Sequence, residues 1–259
     1  MRLLVLNPNT SQFVTDRVVE TARAAAGPEC RVTGVTGRRG PPIVGTRSEC
    51  VMAAAEALDL AAEHAGDADG ILLAISFDTG LDALREMLPI PVVGMSEAGM
   101  LAAMTLARRF SLLTFGNRAV PIYEELVAHY GWTGRSAGVL SLPPLTETQL
   151  RDTSLVLPDL AAAITAAARD RGTEAVVLAG AVFAGLSDRL RDMVPVPVVD
   201  GVVAAVHQLR MLHALAPAKP KAGSLAFPPA KPLSGMSPAL TRRFGDFPAV
   251  PPRDNGKDT

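Results

Sequence analysis

The sequence predicts an α/β protein built from two similar lobes of parallel sheet with a ligand cleft between them. Three observations carry this expectation. Short apolar runs alternate with longer Ala-rich stretches of helical pattern, as in parallel sheets covered on both faces. A strand–loop–helix unit occurs twice, which indicates two related lobes. Polar residues gather where apolar runs end, and open parallel sheets bind ligands beyond the carboxyl ends of their strands.

Taken in order, residues 3–6 read as a buried strand, stopped by Asn7-Pro8-Asn9. Residues 10–25 read as a helix, with Thr10 or Ser11 as N-cap and Gly27-Pro28 as its stop. A strand over 31–35 and a helix over 49–65 follow, then a strand over 70–75 and a helix over 80–87. Strands are expected at 91–94, 110–114, 175–179 and 196–199. Helices are expected at 97–109, 119–130, 155–171 and from 200 to Leu215.

The repeat aligns Ile71-Leu72-Leu73-Ala74-Ile75 with Val176-Val177-Leu178-Ala179-Gly180, an offset of 105 residues. After a one-residue insertion, Pro89-Ile90-Pro91-Val92-Val93 aligns with Pro195-Val196-Pro197-Val198-Val199. The division this suggests is residues 1–95 for lobe 1, completed by about 200–215, 96–199 for lobe 2, and a Pro-rich tail over 217–259. That tail holds nine of the 21 prolines. Leu225, Phe227, Leu240, Phe244 and Phe247 are its candidate anchors, and its last ten residues are expected to be poorly ordered.

Composition narrows the function. At 48% hydrophobic and 20% charged the chain is globular. Its net charge of −1 gives no basic field for nucleic acid or anionic membrane. Two cysteines, Cys30 and Cys50, exclude a disulfide scaffold, and no metal site is expected. The apolar start is too short for a signal segment or a membrane span, so a cytoplasmic location is expected. The expected partners are a small-molecule substrate and further copies of the chain, with no nucleic acid and no membrane.

The loops after Ile75 and Ala179 are expected to face a common pocket. Asn7, Asn9, Thr10 and Ser11 place polar groups at a helix N-terminus, which suits a carboxylate or imide, although a helix cap needs only one of them. Ser76 and Asp78 are candidate catalytic groups. Serine is a poor base unless a neighbour activates it, and Asp78 equally suits a cap for the following helix. Thr114, Asn117 and Tyr123 are further candidate contacts, each with a capping or packing alternative. His64, His129, His207 and His213 fall on helices, where packing or surface roles are the better expectation.

Leu6-Asn7-Pro8-Asn9-Thr10-Ser11, Thr46-Arg47, Asp78-Thr79-Gly80-Leu81-Asp82, Pro91-Val92-Val93-Gly94 and Ala184-Gly185-Leu186 together resemble the hydantoin and aspartate/glutamate racemase family, with arylmalonate decarboxylase and maleate isomerase as relatives. The resemblance runs from residue 1 to about 215. It implies two flavodoxin-like lobes related by pseudo-twofold symmetry, no cofactor, and one cysteine from each lobe on either face of the substrate α-carbon. It also implies substrate contacts from Arg47, Phe77, Thr79, Gly80, Ala181, Val182 and Phe183, beside those above. Abstraction of an α-proton requires a base within reach and donors for the enolate oxygen.

This sequence departs from the family at the decisive place. The two cysteine positions, five residues before each Gly-Leu, are here Ile75 and Gly180, and the internal repeat pairs the same two residues. The expectation is therefore a cofactor-independent enzyme acting at the carbon α to a carbonyl of a small carboxylate, amide or cyclic ureide, without the two-cysteine mechanism. The alternatives are a diverged decarboxylase or lyase, a Ser76-dependent hydrolase, and a non-catalytic small-molecule binder.

Overall fold

Residues 1–248 are described by a computed structural model of the chain. The first sheet contains β1 (Arg2–Asn7), β2 (Arg31–Thr36), β3 (Gly70–Leu73) and β4 (Val92–Gly94), in the order β2-β1-β3-β4. The second contains β5 (Phe110–Phe115), β6 (Ser136–Leu142), β7 (Ala175–Leu178) and β8 (Val198–Asp200), in the order β6-β5-β7-β8. All neighbours run parallel, with Leu3 paired to Gly70 in one sheet and Phe110 to Ala175 in the other. The α/β class and the two-lobe arrangement are thus as the sequence predicts.

The helices are α1 (Gln12–Ala26), α2 (Arg47–His64), α3 (Leu81–Met87), α4 (Met95–Leu106), α5 (Val120–His129), α6 (Glu147–Arg151), α7 (Leu157–Arg171), α8 (Ser187–Leu190), α9 (Gly201–Leu215) and α10 (Pro238–Gly245). All four histidines lie on helices. β3 and β7 are buried at every position. Each Leu, Ile or Val so buried contributes roughly 1.5–3 kcal/mol, which fixes the strands from which the site loops spring.

Several elements differ from expectation. β3 ends at Leu73, because Ala74 already turns to donate its N–H to the Leu6 carbonyl at 2.8 Å. β6 has no apolar run at its start, Ser136-Ala137-Gly138, because it is an edge strand and only half-buried there. α6, α8 and α10 are too short to leave a periodic pattern.

The lobes meet along α4 and α9, which cross at Gly99 and Gly201. A Cβ on Gly201 would stand 2.3 Å from the Met95 carbonyl oxygen, and one on Gly99 would stand 2.7 Å from Val177. α9 also packs on α1, β3 and β4. Phe227, Leu240, Phe244 and Phe247 of the tail pack on the outer face of lobe 1. The expectation for the last ten residues lies outside the described residues.

Candidate functional site

In each lobe the chain leaves the central strand in opposite directions, so a crevice opens between β1 and β3 and between β5 and β7. The two crevices face each other across one cavity of about 80 Å³. Lobe 1 lines it with Asn9, Val14, Ile43, Val44, Gly45, Ala74, Ile75, Ser76 and Phe77. Lobe 2 lines it with Thr114, Phe115, Ala119, Tyr123, Gly180, Ala181 and Val182. Ile75 and Gly180, the two residues paired by the internal repeat, therefore open onto the same small space from opposite lobes.

Beyond β1, the polar run divides its work. Asn9 reaches the cavity, while Asn7 lies behind it, donating through Nδ2 to Asn9 Oδ1 and to Thr15 Oγ1, both at 2.9 Å. Ser11 is the N-cap residue of α1 by position but makes no capping bond; its Oγ donates instead to the Pro42 carbonyl at 2.7 Å. The Thr10 N–H donates to the Pro41 carbonyl at 3.2 Å. Asn7, Thr10 and Ser11 thus hold Asn9 and the loop that carries Ile43, Val44 and Gly45, and are not themselves in the lining.

In the loop after β3, Ser76 is buried and shares a short hydrogen bond with the hydroxyl of Tyr123. That hydroxyl also donates to the Ala179 carbonyl at 3.2 Å, and Thr114 lies beside it. Tyr123 therefore bridges the loop of one lobe to the strand end of the other. Its ring lies 4.5 Å from that of Phe77. Burial holds the Tyr123 phenol above its usual range, so it is a neutral hydroxyl at neutral pH. In the second loop, Arg17 donates to the Val182 carbonyl at 2.6 Å. Phe183 sits behind the lining, edge-on to Phe115 at 5.6 Å. A Cβ on Gly180 would stand 3.3 Å from both of those rings.

Asp78 lies outside the cavity. Its carboxylate accepts from the N–H groups of Ser96 (3.1 Å) and Glu97 (2.7 Å) in the first turn of α4, and from the Tyr130 hydroxyl (2.9 Å). It caps α4, not the helix that follows it. No oxygen of Asp78 faces Ser76 as a base would. Burial pushes its pKa up to about 7, against the pull of these three donors.

Other expected contacts fall away from the cavity. Arg47 is exposed on α2 and pairs with Glu125, and Asn117 is exposed in a short 3₁₀ turn. Thr79 and Gly80 turn into α3 behind the lining. Cys50 lies half-buried beside Thr79, where burial raises its thiol pKa, and Cys30 is half-buried before β2. Neither lines the cavity. The sequence reading missed Val14, Ile43, Val44, Gly45, Ala74, Phe115 and Ala119. For Ile43, Val44 and Gly45 the available signal was the Gly/Pro-rich stretch before α2, which the repeat does not cover.

The lining residues are apolar apart from Asn9, Ser76, Thr114 and Tyr123. None of these four carries a charge at neutral pH.

Comparison with known proteins gives a consistent result. Residues 3–209 match the Asp/Glu/hydantoin racemase family. A hydantoin racemase of Rhizobium meliloti is 32% identical over 240 residues, covering 91% of this chain and 98% of that protein. An allantoin racemase of Klebsiella pneumoniae superposes with a TM-score of 0.86 at 35% identity, covering 93% and 99%. An allantoin racemase of Pseudomonas fluorescens gives 0.86 at 31% identity, covering 91% and 100%. A glutamate racemase of Bacillus anthracis shares the fold at 18% identity, with a TM-score of 0.60 over 86% of this chain and 83% of that one.

Proposed function

Because this chain belongs to the Asp/Glu/hydantoin racemase family, we propose that it is a cofactor-independent enzyme acting at the carbon α to a carbonyl of a small cyclic ureide or amide, without the family's two-thiol proton exchange. The observation that carries the proposal is the cavity itself. Ile75 and Gly180 open onto it from opposite lobes, and neither holds a proton that can move.

The lining also narrows the ligand. It has neutral donors and acceptors and no cation, so a carboxylate would meet hydrogen-bond donors but no opposite charge to offset its desolvation. A cyclic ureide offers neutral N–H and C=O groups that match Asn9, Ser76, Thr114 and Tyr123. The relatives named for hydantoin and allantoin point to the same class. Asn9 Oδ1 already accepts from Asn7 and Ser11, leaving Nδ2 to donate to a ligand carbonyl. The Tyr123 proton goes to the Ala179 carbonyl and the Ser76 proton to Tyr123, so Ser76 would turn from Tyr123 to donate to a second ligand carbonyl.

A hydrolase is disfavoured, because the partner of Ser76 is a neutral phenol and not an imidazole or carboxylate. A second reading is a binder on the same scaffold, favoured by the absence of any lining side chain that ionises near neutrality. Cytoplasmic location and homo-oligomeric assembly belong to the same proposal. Titration of hydantoin and allantoin calorimetrically, followed by NMR of each in D₂O, tests it. Binding with a slow chemical change other than α-proton exchange that depends on Tyr123 supports the enzyme, binding with no change supports the binder, and no binding of either ureide removes the substrate class.

A further inference from the structure

The two lobes solve one problem in opposite ways. α4 begins after Gly94 and α9 after Asp200, the residues that follow the matched Val92-Val93 and Val198-Val199. Asp200 caps its own helix, accepting from Val202 N–H at 2.8 Å and Val203 N–H at 3.4 Å. Gly94 has no side chain, and the same two N–H positions, Ser96 and Glu97, are taken by Asp78 from the cleft loop. A Cβ on Gly94 would stand 2.5 Å from the Asp78 carboxyl carbon, so the missing side chain is the space this carboxylate fills. Asp78 also holds a left-handed backbone at φ 49, which costs a non-glycine residue free energy and persists only where contacts over-determine it. The Ser96 hydroxyl adds a second tie, to the Ser76 carbonyl.

We propose that Asp78 is the positioning residue of the cleft: its two carboxyl oxygens fasten the loop that carries Ile75, Ser76 and Phe77 to α4 and, through Tyr130, to α5, and removing those oxygens frees the loop. The proposal takes from the preceding reading only that this loop meets the ligand. Burial makes the tie sensitive to pH: it is strongest with the acid protonated and weakens as pH rises through its titration. Glu97, on α4, adds negative charge nearby but is itself paired with Arg85 of α3, with Nη1 to Oε1 at 3.1 Å. Asp82 of α3 pairs with His129 of α5 at 3.4 Å. Tyr123 and Tyr130 are neutral phenols held high by burial, and the Cys50 thiol on α2 is held high likewise. The titration of Asp78, near pH 7, is the one that would change the tie.

The molecule carries its own reporter. The single tryptophan, Trp132, lies 4.9 Å from the ring of Tyr130, whose hydroxyl donates to Asp78. Trp132 emission of the ligand-free protein is expected to follow one proton with a midpoint near pH 7. His129 also lies near Tyr130, at 5.3 Å; the transition should persist in His129→Gln and vanish in Asp78→Asn. At pH 8, hydrogen exchange over residues 71–81 should be at least about ten-fold faster in Asp78→Ala, with residues 176–186 unchanged. Should Asp78→Asn fail to fold, Tyr130→Phe serves: removing a donor to the carboxylate should raise the midpoint. A flat wild-type titration, a transition that survives Asp78→Asn or is lost in His129→Gln, equal exchange in both loops, or an unmoved midpoint in Tyr130→Phe would overturn the proposal. Failure of hydantoin to bind, with the titration as expected, would count against the substrate class and leave the positioning role standing.

Discussion

The loop after β3 and the loop after β7 descend from matching sequence, yet they are anchored by carboxylates on opposite partners. In lobe 2 the acid belongs to the helix: Asp200 caps α9 and, with its other oxygen, takes the Gly185 N–H of the loop at 2.5 Å. In lobe 1 the acid belongs to the loop, and the helix offers a glycine. Both arrangements satisfy the same two N–H groups of a helix start, each worth about 1 kcal/mol or more. What differs is which segment is held in a strained conformation, and it is the loop bearing Ser76.

The largest effect is expected from removing the lobe 1 acid. Asp78→Ala should cost roughly 2–4 kcal/mol, since it strands two buried N–H groups and the Tyr130 hydroxyl. Adding Gly94→Asp should recover a good part of this. Gly94 has extended backbone (φ −79, ψ 140) close to that of Asp200 (φ −89, ψ 118), so an acid there can adopt the lobe 2 solution. Urea midpoints of the single and double variants measure the recovery, and a double variant no more stable than Asp78→Ala would break the equivalence of the lobes.

A smaller effect concerns pH. Asp78 titrates near 3.8 when unfolded and at about 7 when folded, so the folded state binds the extra proton between those values. Its contribution to stability is fully present below about pH 4 and is lost as pH rises through 7, by about 2 kcal/mol between pH 5 and 7. Asp78→Asn should flatten that slope. Wild-type and variant urea midpoints running parallel across this range would show that the carboxylate is not the group responsible.

The smallest effects belong to the cavity. Asn9→Ala and Ser76→Ala should each weaken hydantoin binding by about 0.5–1.5 kcal/mol, the worth of one neutral hydrogen bond. Arg47→Ala should leave it unchanged, as Arg47 is exposed and paired with Glu125. Calorimetric titration of the three variants separates lining residues from motif residues that only share their sequence neighbourhood.

Much of this was legible in the chain. The alternation of apolar runs and helical stretches marks every strand but the edge strand β6, and the repeat pairs Ile75 with Gly180. The polar motifs were less transparent, because the same residue types cap helices and hold ligands. Of Asn7, Asn9, Thr10 and Ser11, the cavity receives only Asn9, while the others tie down the loop at Pro41 and Pro42. Asp78 reads as a cap in sequence, but the helix it caps starts seventeen positions later, at Met95, which no local pattern announces. Ile43, Val44 and Gly45 escape notice because a loop folded back over the cleft has no period to detect.

The central claim is that the two opposed positions of the cleft carry no group able to pass a proton across it. Proton NMR of 5-benzylhydantoin in D₂O tests this most directly, with the α-proton signal followed with and without the wild-type protein. The account predicts deuterium exchange at the protein-free rate. Rapid exchange that persists when Ile75 and Gly180 are substituted by alanine would contradict it, and would place the proton-transferring groups elsewhere in the fold.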